Sequence, residues 1–297
     1  MSFSIMMKGF NMKSNIGLVL EGGGFRGCYT AGALKWLSDN NIYIKYSVSI
    51  SATTAYAFCY AAERIEEMKY VSTVGIKDKG VIGIRPLLNE GGLMGMGYLQ
   101  EKYFAPFYKE ALDYLKQTDR EVEIGLFNMD KEVLEYYGKN DFDERGDYIK
   151  ASCVLPLAGK MTEINGQRFL DGGIRTMISI ERSLATGHDK NLVIITKDEG
   201  YIRKPNGFIL DKILKLVYRK FPTMLANIDN RVDSFYHELG MVQDLEKQGK
   251  ALLIRPSKDC GVTRLSGSYE QLEELFNLGY QDMEDRREDL YKFFEIE

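Results

Sequence analysis

Apolar residues along this chain fall into short runs whose spacing alternates between the period of a strand and that of a helix. Ile16-Gly17-Leu18-Val19-Leu20 is a compact apolar run that stops at a glycine cluster, and Ala33, Leu34 and Leu37 then recur at helical spacing between Tyr29 and Leu37. The pattern predicts strand, loop and helix. A second run, Ile42 to Ile50, alternates and is rich in β-branched and aromatic residues. It passes directly into the alanine-rich stretch Ser51 to Glu63, which predicts a strand, a sharp turn and another helix. Val122 to Met129, Arg168 to Leu170 and Leu192 to Thr196 offer further strands. Strands that alternate with helices form parallel sheets covered on both faces, so the expected fold is α/β, a three-layer α/β/α arrangement around a mostly parallel central sheet.

The spacing loosens between Lys69 and Tyr103, where Gly75, Gly80, Gly83, Gly91, Gly92, Gly95 and Gly97 interrupt the pattern and Met94 and Met96 read as exposed. In a compact domain such a segment is either a surface excursion or a mobile flap that lines a substrate. Helical patterns return from Phe208 to Lys250 and break at Pro222. There Lys212, Lys215, Arg219 and Lys220 interleave with Ile213, Leu216 and Val217, which suits a helix packed on its own domain or one lying on anionic lipid. From Tyr269 onward, Leu272, Leu275 and Phe276 make an apolar face and Asp282 to Asp289 a charged one. The expected organisation is one domain over 1–297, with a core from about 14 to 200 and a helical C-terminal elaboration from about 205 to 297.

Composition narrows the class. With 297 residues, 44% hydrophobic and 28% charged, the chain can bury a sizeable core and is neither disordered nor a coiled-coil rod. A net charge of -4 without a basic stripe argues against a nucleic-acid partner. Cys28, Cys59, Cys153 and Cys260 are scattered, reading as reduced thiols with no metal site or disulfide scaffold. Met1 to Phe10 lacks the cationic start and cleavage pattern of a secretory signal, and no segment reaches the roughly 18 apolar residues of a spanning helix. These features predict a soluble, cytoplasmic protein.

Chemistry gathers at three places. Glu21-Gly22-Gly23-Gly24-Phe25-Arg26-Gly27 follows the first strand and opens the first helix, fitting GxGxxG through Gly22, Gly24 and Gly27. A dinucleotide site would need an acid at the end of the second strand, where this chain has Ser47-Val48-Ser49-Ile50-Ser51. The same loop suits an oxyanion pocket, because consecutive glycine N–H groups at a helix N-terminus are preorganised donors. Arg26 either adds to that positive field or anchors the loop through a salt bridge. Ser49 sits at the strand-to-helix turn a nucleophile would occupy, although alternating serines also suit the polar face of a strand. For a base the chain has only two histidines, His188 in a turn and His237 in a charged helix. Asp171, followed by Gly172 and Gly173, ends an apolar strand on a turn that lets a substrate approach, so its carboxylate can act on Ser49 directly.

In this order, the EGGGFRG loop, a serine turn about 25 residues later and a D-G-G turn, the sequence resembles the patatin-like phospholipase family, and its bacterial branch in particular. The resemblance extends over Gly17 to Leu37, Tyr46 to Tyr60, Ala151 to Thr196 and Ile254-Arg255-Pro256-Ser257. It implies a serine-dependent lipid acyl hydrolase, phospholipase A-like or esterase, with a Ser-Asp dyad and no metal or cofactor. Carried over by position, Ser49 is the nucleophile, Asp171 the base, and Gly22, Gly23 and Gly24 the oxyanion loop, with Arg26, Gly27, Gly172 and Gly173 supporting. Val48 before Ser49 and Ala52 three residues after it match the family's G-V-S-x-G-A and select Ser49 among the alternating serines. The implied partners are a lipid or ester substrate and, transiently, a membrane surface. Both elbow glycines are replaced, by Ser47 and Ser51, and Met177-Ile178-Ser179 stands where small polar residues and a proline are usual. A second reading is therefore a catalytically impaired member that binds an acyl lipid or a protein partner. The hydrolytic reading expects Ser49 and Asp171 within hydrogen-bond reach.

Overall fold

The computed structural model describes residues 15–296. The expectation about Met1 to Phe10 lies outside the described residues. The strands are β1 Ile16–Leu20, β2 Tyr46–Ile50, β3 Glu121–Asn128, β4 Val133–Gly138, β5 Thr162–Ile164, β6 Gln167–Asp171, β7 Lys190–Ile194 and β8 Ala251–Ile254. They form one 8-stranded sheet in the order β5-β6-β3-β2-β1-β7-β8, with β4 paired to β3. β3, β2, β1, β7 and β8 run parallel, while β4, β5 and β6 are antiparallel to their neighbours.

Alternation along the central strands separates two cores. Leu18 and Leu20 of β1, Leu192 and Ile194 of β7, and Leu252 and Ile254 of β8 face one helical layer; Val19, Val193 and Leu253 face the other, against Ile178, Phe235 and Val242. Both faces are dry, as a mostly parallel sheet requires. Helices α1 (Gly27–Asp39) and α2 (Thr53–Ala61) follow β1 and β2 across the first face. They are buried almost all round, which is why their apolar residues show no clean single stripe.

Burial of α1 is completed by the helix Tyr269–Asp285. Tyr29 Oη donates to Asp282 at 3.0 Å, Trp36 Nε1 to Glu284 at 2.7 Å and Cys28 Sγ to Leu272 O at 3.1 Å. The backbones touch: a Cβ on Gly32 would lie 1.9 Å from Phe276 O, and one on Gly279 would lie 2.0 Å from Tyr29 O. The C-terminal segment from about 205 to 297, whose pattern reads as a helical elaboration, is thus not helical throughout: it contributes an edge strand, β8, as well as the cover of the first helix.

Two expectations are corrected. The glycine-interrupted segment between Lys69 and Tyr103 is mostly short helices, Ile65–Thr73, Ile84–Glu90 and Met96–Leu99, joined by turns. Met96 is buried and Met94 half-buried, because both turn toward a cavity and not toward water. The break at Pro222 is as the pattern predicts, with the proline opening the helix Pro222–Asp229.

Overpacking the glycine crossing should destabilise the whole chain. Gly279→Leu is expected to cost about 3 kcal/mol, read as a lower denaturation midpoint in one cooperative transition. Gly240→Ala, where an added Cβ meets nothing within 4 Å in a helix interior, is expected to stabilise by about 0.5–1 kcal/mol.

Candidate active site

β3 brings the two chemical strand ends together. Its first half pairs with β2 and its second half with β6, while β4 occupies its other edge throughout Glu123–Asn128. β2 and β6 therefore lie end to end along one edge, with Ile50 opposite Gly125 and Asp171 opposite Leu126. Because β2 runs parallel and β6 antiparallel to β3, it is their C-terminal ends that converge. Gly125 and Gly172 permit the approach: a Cβ on Gly172 would sit 2.4 Å from Gly125 O, and one on Gly125 would sit 2.4 Å from Ile50 Cδ1.

At this junction Ser51 Oγ donates to Asp171 Oδ2 at 2.6 Å. Ser51 has φ 64, a left-handed conformation that costs a side-chain-bearing residue roughly 1–3 kcal/mol and that holds its hydroxyl clear of the strand. The turn is braced by hydroxyls. Thr53 Oγ1 donates to Ile50 O at 2.8 Å and Thr54 Oγ1 to Ser51 O at 2.7 Å, at the opening of α2. The expected Ser49–Asp171 contact is absent. Ser49 is still inside β2, fully buried, and its hydroxyl points to Glu123 O at 3.4 Å. The elbow lies one alternation further on, at Ser51, with Ser49 and Thr53 at the positions two residues before and after it. Nothing in the S-x-S-x-S spacing reveals which serine takes positive φ.

Among the proposed loop residues, Gly22 spends its amide on Met177 O at 3.2 Å, while Phe25 N donates to Arg264 O at 3.0 Å. The amides of Gly23 and Gly24 have no acceptor among the described residues. The loop touches the serine turn, since a Cβ on Gly22 would lie 3.0 Å from Ser51 Cβ. Gly24 has φ +59, and a side chain there would also run into Arg264 O at 2.2 Å. Gly27 packs α1 against Tyr56 of α2. Arg26 makes no salt bridge among the described residues; its guanidinium lies over the Tyr201 ring, 5.4 Å from the centroid.

Sequence reasoning missed what holds this loop from beneath. Glu21, fully buried, accepts from Thr196 N at 2.6 Å, Thr196 Oγ1 at 2.9 Å and Lys197 Nζ at 2.5 Å. Lys197 also reaches Gly22 O at 3.2 Å. Burial pulls the Lys197 ammonium down to about 8, with Glu21 opposing the shift. The pair is separated by most of the domain in sequence, so no local spacing could have signalled it.

Burial likewise pushes the Asp171 carboxyl above its ordinary range, opposed by hydrogen bonds from Ser51 and from Gly173 N, the latter at 2.7 Å, and by the charges of Arg231 and Arg264. Neither histidine belongs to the site. His188 stacks on Tyr46 with ring centroids 4.0 Å apart, and His237 is exposed beside Glu181. Three cavities meet here. An apolar one is bounded by Ser51, Tyr56, Met96 and Phe104; a second, larger one runs past Asp171 toward Leu210 and Leu214. A third, small polar recess contains both Ser51 and Asp171. Leu155 and Arg264 border all three.

Residues 18–182, more than half of the chain, match the family model described as patatin-like phospholipase. The chain belongs to the patatin-like phospholipase family. Residues 221–295 of this patatin-like chain match a second model, described as domain of unknown function (DUF6363). No curated protein matches it. Among solved structures it is similar to VipD from Legionella pneumophila, with 14% identity, a TM-score of 0.48, and coverage of 92% of this chain and 67% of that one. The patatin-like match contains Ser51 and Asp171, whereas Arg203 falls outside both matches and Arg231 and Arg264 fall in the second.

The junction itself is testable through Gly172→Ala. The added methyl is forced against Gly125 O, and a loss of about 2–3 kcal/mol is expected by denaturant titration.

Proposed function

We propose that this protein is a serine-dependent lipid acyl hydrolase in which Ser51 is the nucleophile and Asp171 its base. The observation that carries the reading is the 2.6 Å hydrogen bond from a serine at positive φ to a buried carboxylate, beside two glycine amides that have no acceptor among the described residues. Ser51 gives its proton to Asp171 as it attacks the ester carbonyl. The amides of Gly23 and Gly24 receive the oxyanion. Collapse expels the alcohol, which takes the proton back from Asp171. Water then attacks the acyl-serine, again delivering a proton to Asp171, and the carboxylic acid departs as Ser51 is reprotonated. Desolvation makes the carboxylate a competent base by raising its proton affinity toward that needed near neutral pH.

The apolar cavity beside Ser51 suits an acyl chain. The helix beside the second cavity supports transient contact with a membrane surface. On the helix Phe208–Val217, Phe208 is 71% and Ile209 75% exposed, Leu216 and Val217 are also exposed, and Leu210 reaches into the second cavity. Lys212, Arg219 and Lys220 flank this apolar face, the composition of a surface that settles on anionic lipid. No helix of the described residues is long and apolar enough to cross a membrane. We assign the activity to the cytoplasm, where the four cysteines, all free, stay reduced. The impaired-binder alternative drew on the missing elbow glycines; the threonine hydroxyls bracing the turn favour the hydrolase.

Hydrolysis of a p-nitrophenyl ester should fall at least about 10³-fold in Ser51→Ala and in Asp171→Asn, and by less than a few-fold in Ser49→Ala. Equal activity in wild type and Ser51→Ala sinks the reading. The pH profile of kcat/KM supplies a second check. Asp171 must be ionised to act and its folded pKa is raised, so activity should fall on the acid side through a midpoint above the ordinary aspartate value of about 3.9.

A further inference from the structure

The polar recess beside the dyad has an unusual charge balance. Arg26, Lys197, Arg203, Arg231 and Arg264 border it, against the single carboxylate of Asp171. Lys197 is matched by Glu21, but among the described residues none of the four arginines pairs with a carboxylate. Arg203 is buried and its guanidinium rests over the Phe235 ring, 4.8 Å from the centroid. Arg231 Nη2 finds only the sulfur of Met177, at 3.4 Å, and its Nε is buried with no partner among the described residues. Arg264 stands exposed at the open side, with its main chain tied to the glycine loop through Phe25.

Unpaired guanidiniums in a shared recess repel one another and forgo hydrogen bonds that water outside would supply. Burial first, then the charges of Arg264 and Arg203, hold Arg231 down to about 9. A fold retains such an arrangement when an anion completes it. Each guanidinium presents a rigid fork of N–H donors, more in total than a carboxylate can accept, and better matched to the several oxygens of a phosphoryl group.

We infer that the recess formed by Arg203, Arg231 and Arg264 is a phosphoryl-binding subsite, which takes the phosphodiester of a glycerophospholipid while its acyl ester lies at Ser51. This rests on the hydrolytic reading above and deepens it. The recess contains Ser51 and Asp171 themselves, so a phosphoryl group held there is within one small molecule's span of the reacting ester. The apolar cavities opening from the same point accommodate the acyl chains. All three arginines come from beyond the patatin-like match, and two from the segment of unknown function. That segment thereby takes part in selecting the substrate's anionic group.

The test compares kcat/KM for monomeric dihexanoyl phosphatidylglycerol with that for neutral dihexanoylglycerol, below aggregation so that surface docking plays no part. Wild type should prefer the phospholipid. Arg231→Gln and Arg264→Gln should each lower the phospholipid-to-neutral ratio about tenfold, with Arg264→Lys falling less. The ratio cancels any effect of the lost charge on Asp171, which both substrates share. Exposed Arg264 can be changed without burying or orphaning a group, so a folding failure at Arg231 leaves the test intact. In a parallel arm, inorganic phosphate competes against p-nitrophenyl butyrate. Inhibition that the variants lose, without phospholipid preference, assigns the recess to free phosphate. A ratio near one in wild type and variants, with no inhibition by phosphate, overturns the subsite. Ser51→Ala keeps the two claims apart: ester hydrolysis that needs Ser51 but ignores the arginines refutes only the subsite, whereas hydrolysis indifferent to Ser51 refutes the mechanism.

Discussion

β3 carries two neighbours on a single edge, β2 along its first half and β6 along its second, and their converging ends face consecutive residues, Gly125 and Leu126. Every other property of the site follows from that abutment. It sets Ser51 against Asp171 without a mediating histidine, removes both from water, and leaves the glycine loop from β1 as the adjacent wall. Backbone pairing sets where the two strand ends meet, and the hydroxyls of Thr53 and Thr54 brace the serine turn there. This also explains the demand for glycine at 172, where a Cβ would strike the Gly125 carbonyl, and at 125, where it would strike the Ile50 side chain.

Much of this is legible in the residues alone, but not the weak strands, the Glu21–Lys197 brace or the register of the serine turn. The glycine loop, the serine turn and the D-G-G turn stand out because each couples a strand end to residues that permit close approach. β1 and β7 show as apolar runs because both their faces are dry, whereas β8, equally buried but only four residues long, is lost in a stretch whose pattern reads as helical. β4 and β5 escape for the opposite reason: β4 is only half-buried and β5 spans three residues, so neither leaves a strong pattern. The family pattern selects Ser49, whereas the serine hydrogen-bonded to Asp171 is Ser51, two residues further on. In an alternating S-x-S-x-S the side-chain pattern is the same in either register, and what separates Ser49 from Ser51 is a backbone dihedral. With threonine hydroxyls in place of glycine as the brace, the usual composition mark of such a turn is absent.

The segment beyond the patatin-like match is not an ornament on that core. It supplies β8 to the sheet, covers α1 with the helix Tyr269–Asp285, and brings Arg231 and Arg264 to the recess that holds Ser51 and Asp171. Glu238 of the same segment, its carboxyl raised to about 7 by burial, accepts from the amides of Met177 and Ile178, just after the D-G-G turn. One stretch of chain thus braces the scaffold, positions the acid's turn and sets the local field.

The crossing of Gly32 and Gly279 bears on how the protein comes into being. Helix α1 carries the donor loop at its head, and its outer flank is closed only when the helix Tyr269–Asp285 settles backbone to backbone against it. A ribosome-bound chain still lacking that helix has its serine and aspartate already synthesised, but an unsupported α1 and no Arg264 beside the loop. Closure of that flank is thereby deferred until translation has passed the helix, so the two halves of the chain complete one core together.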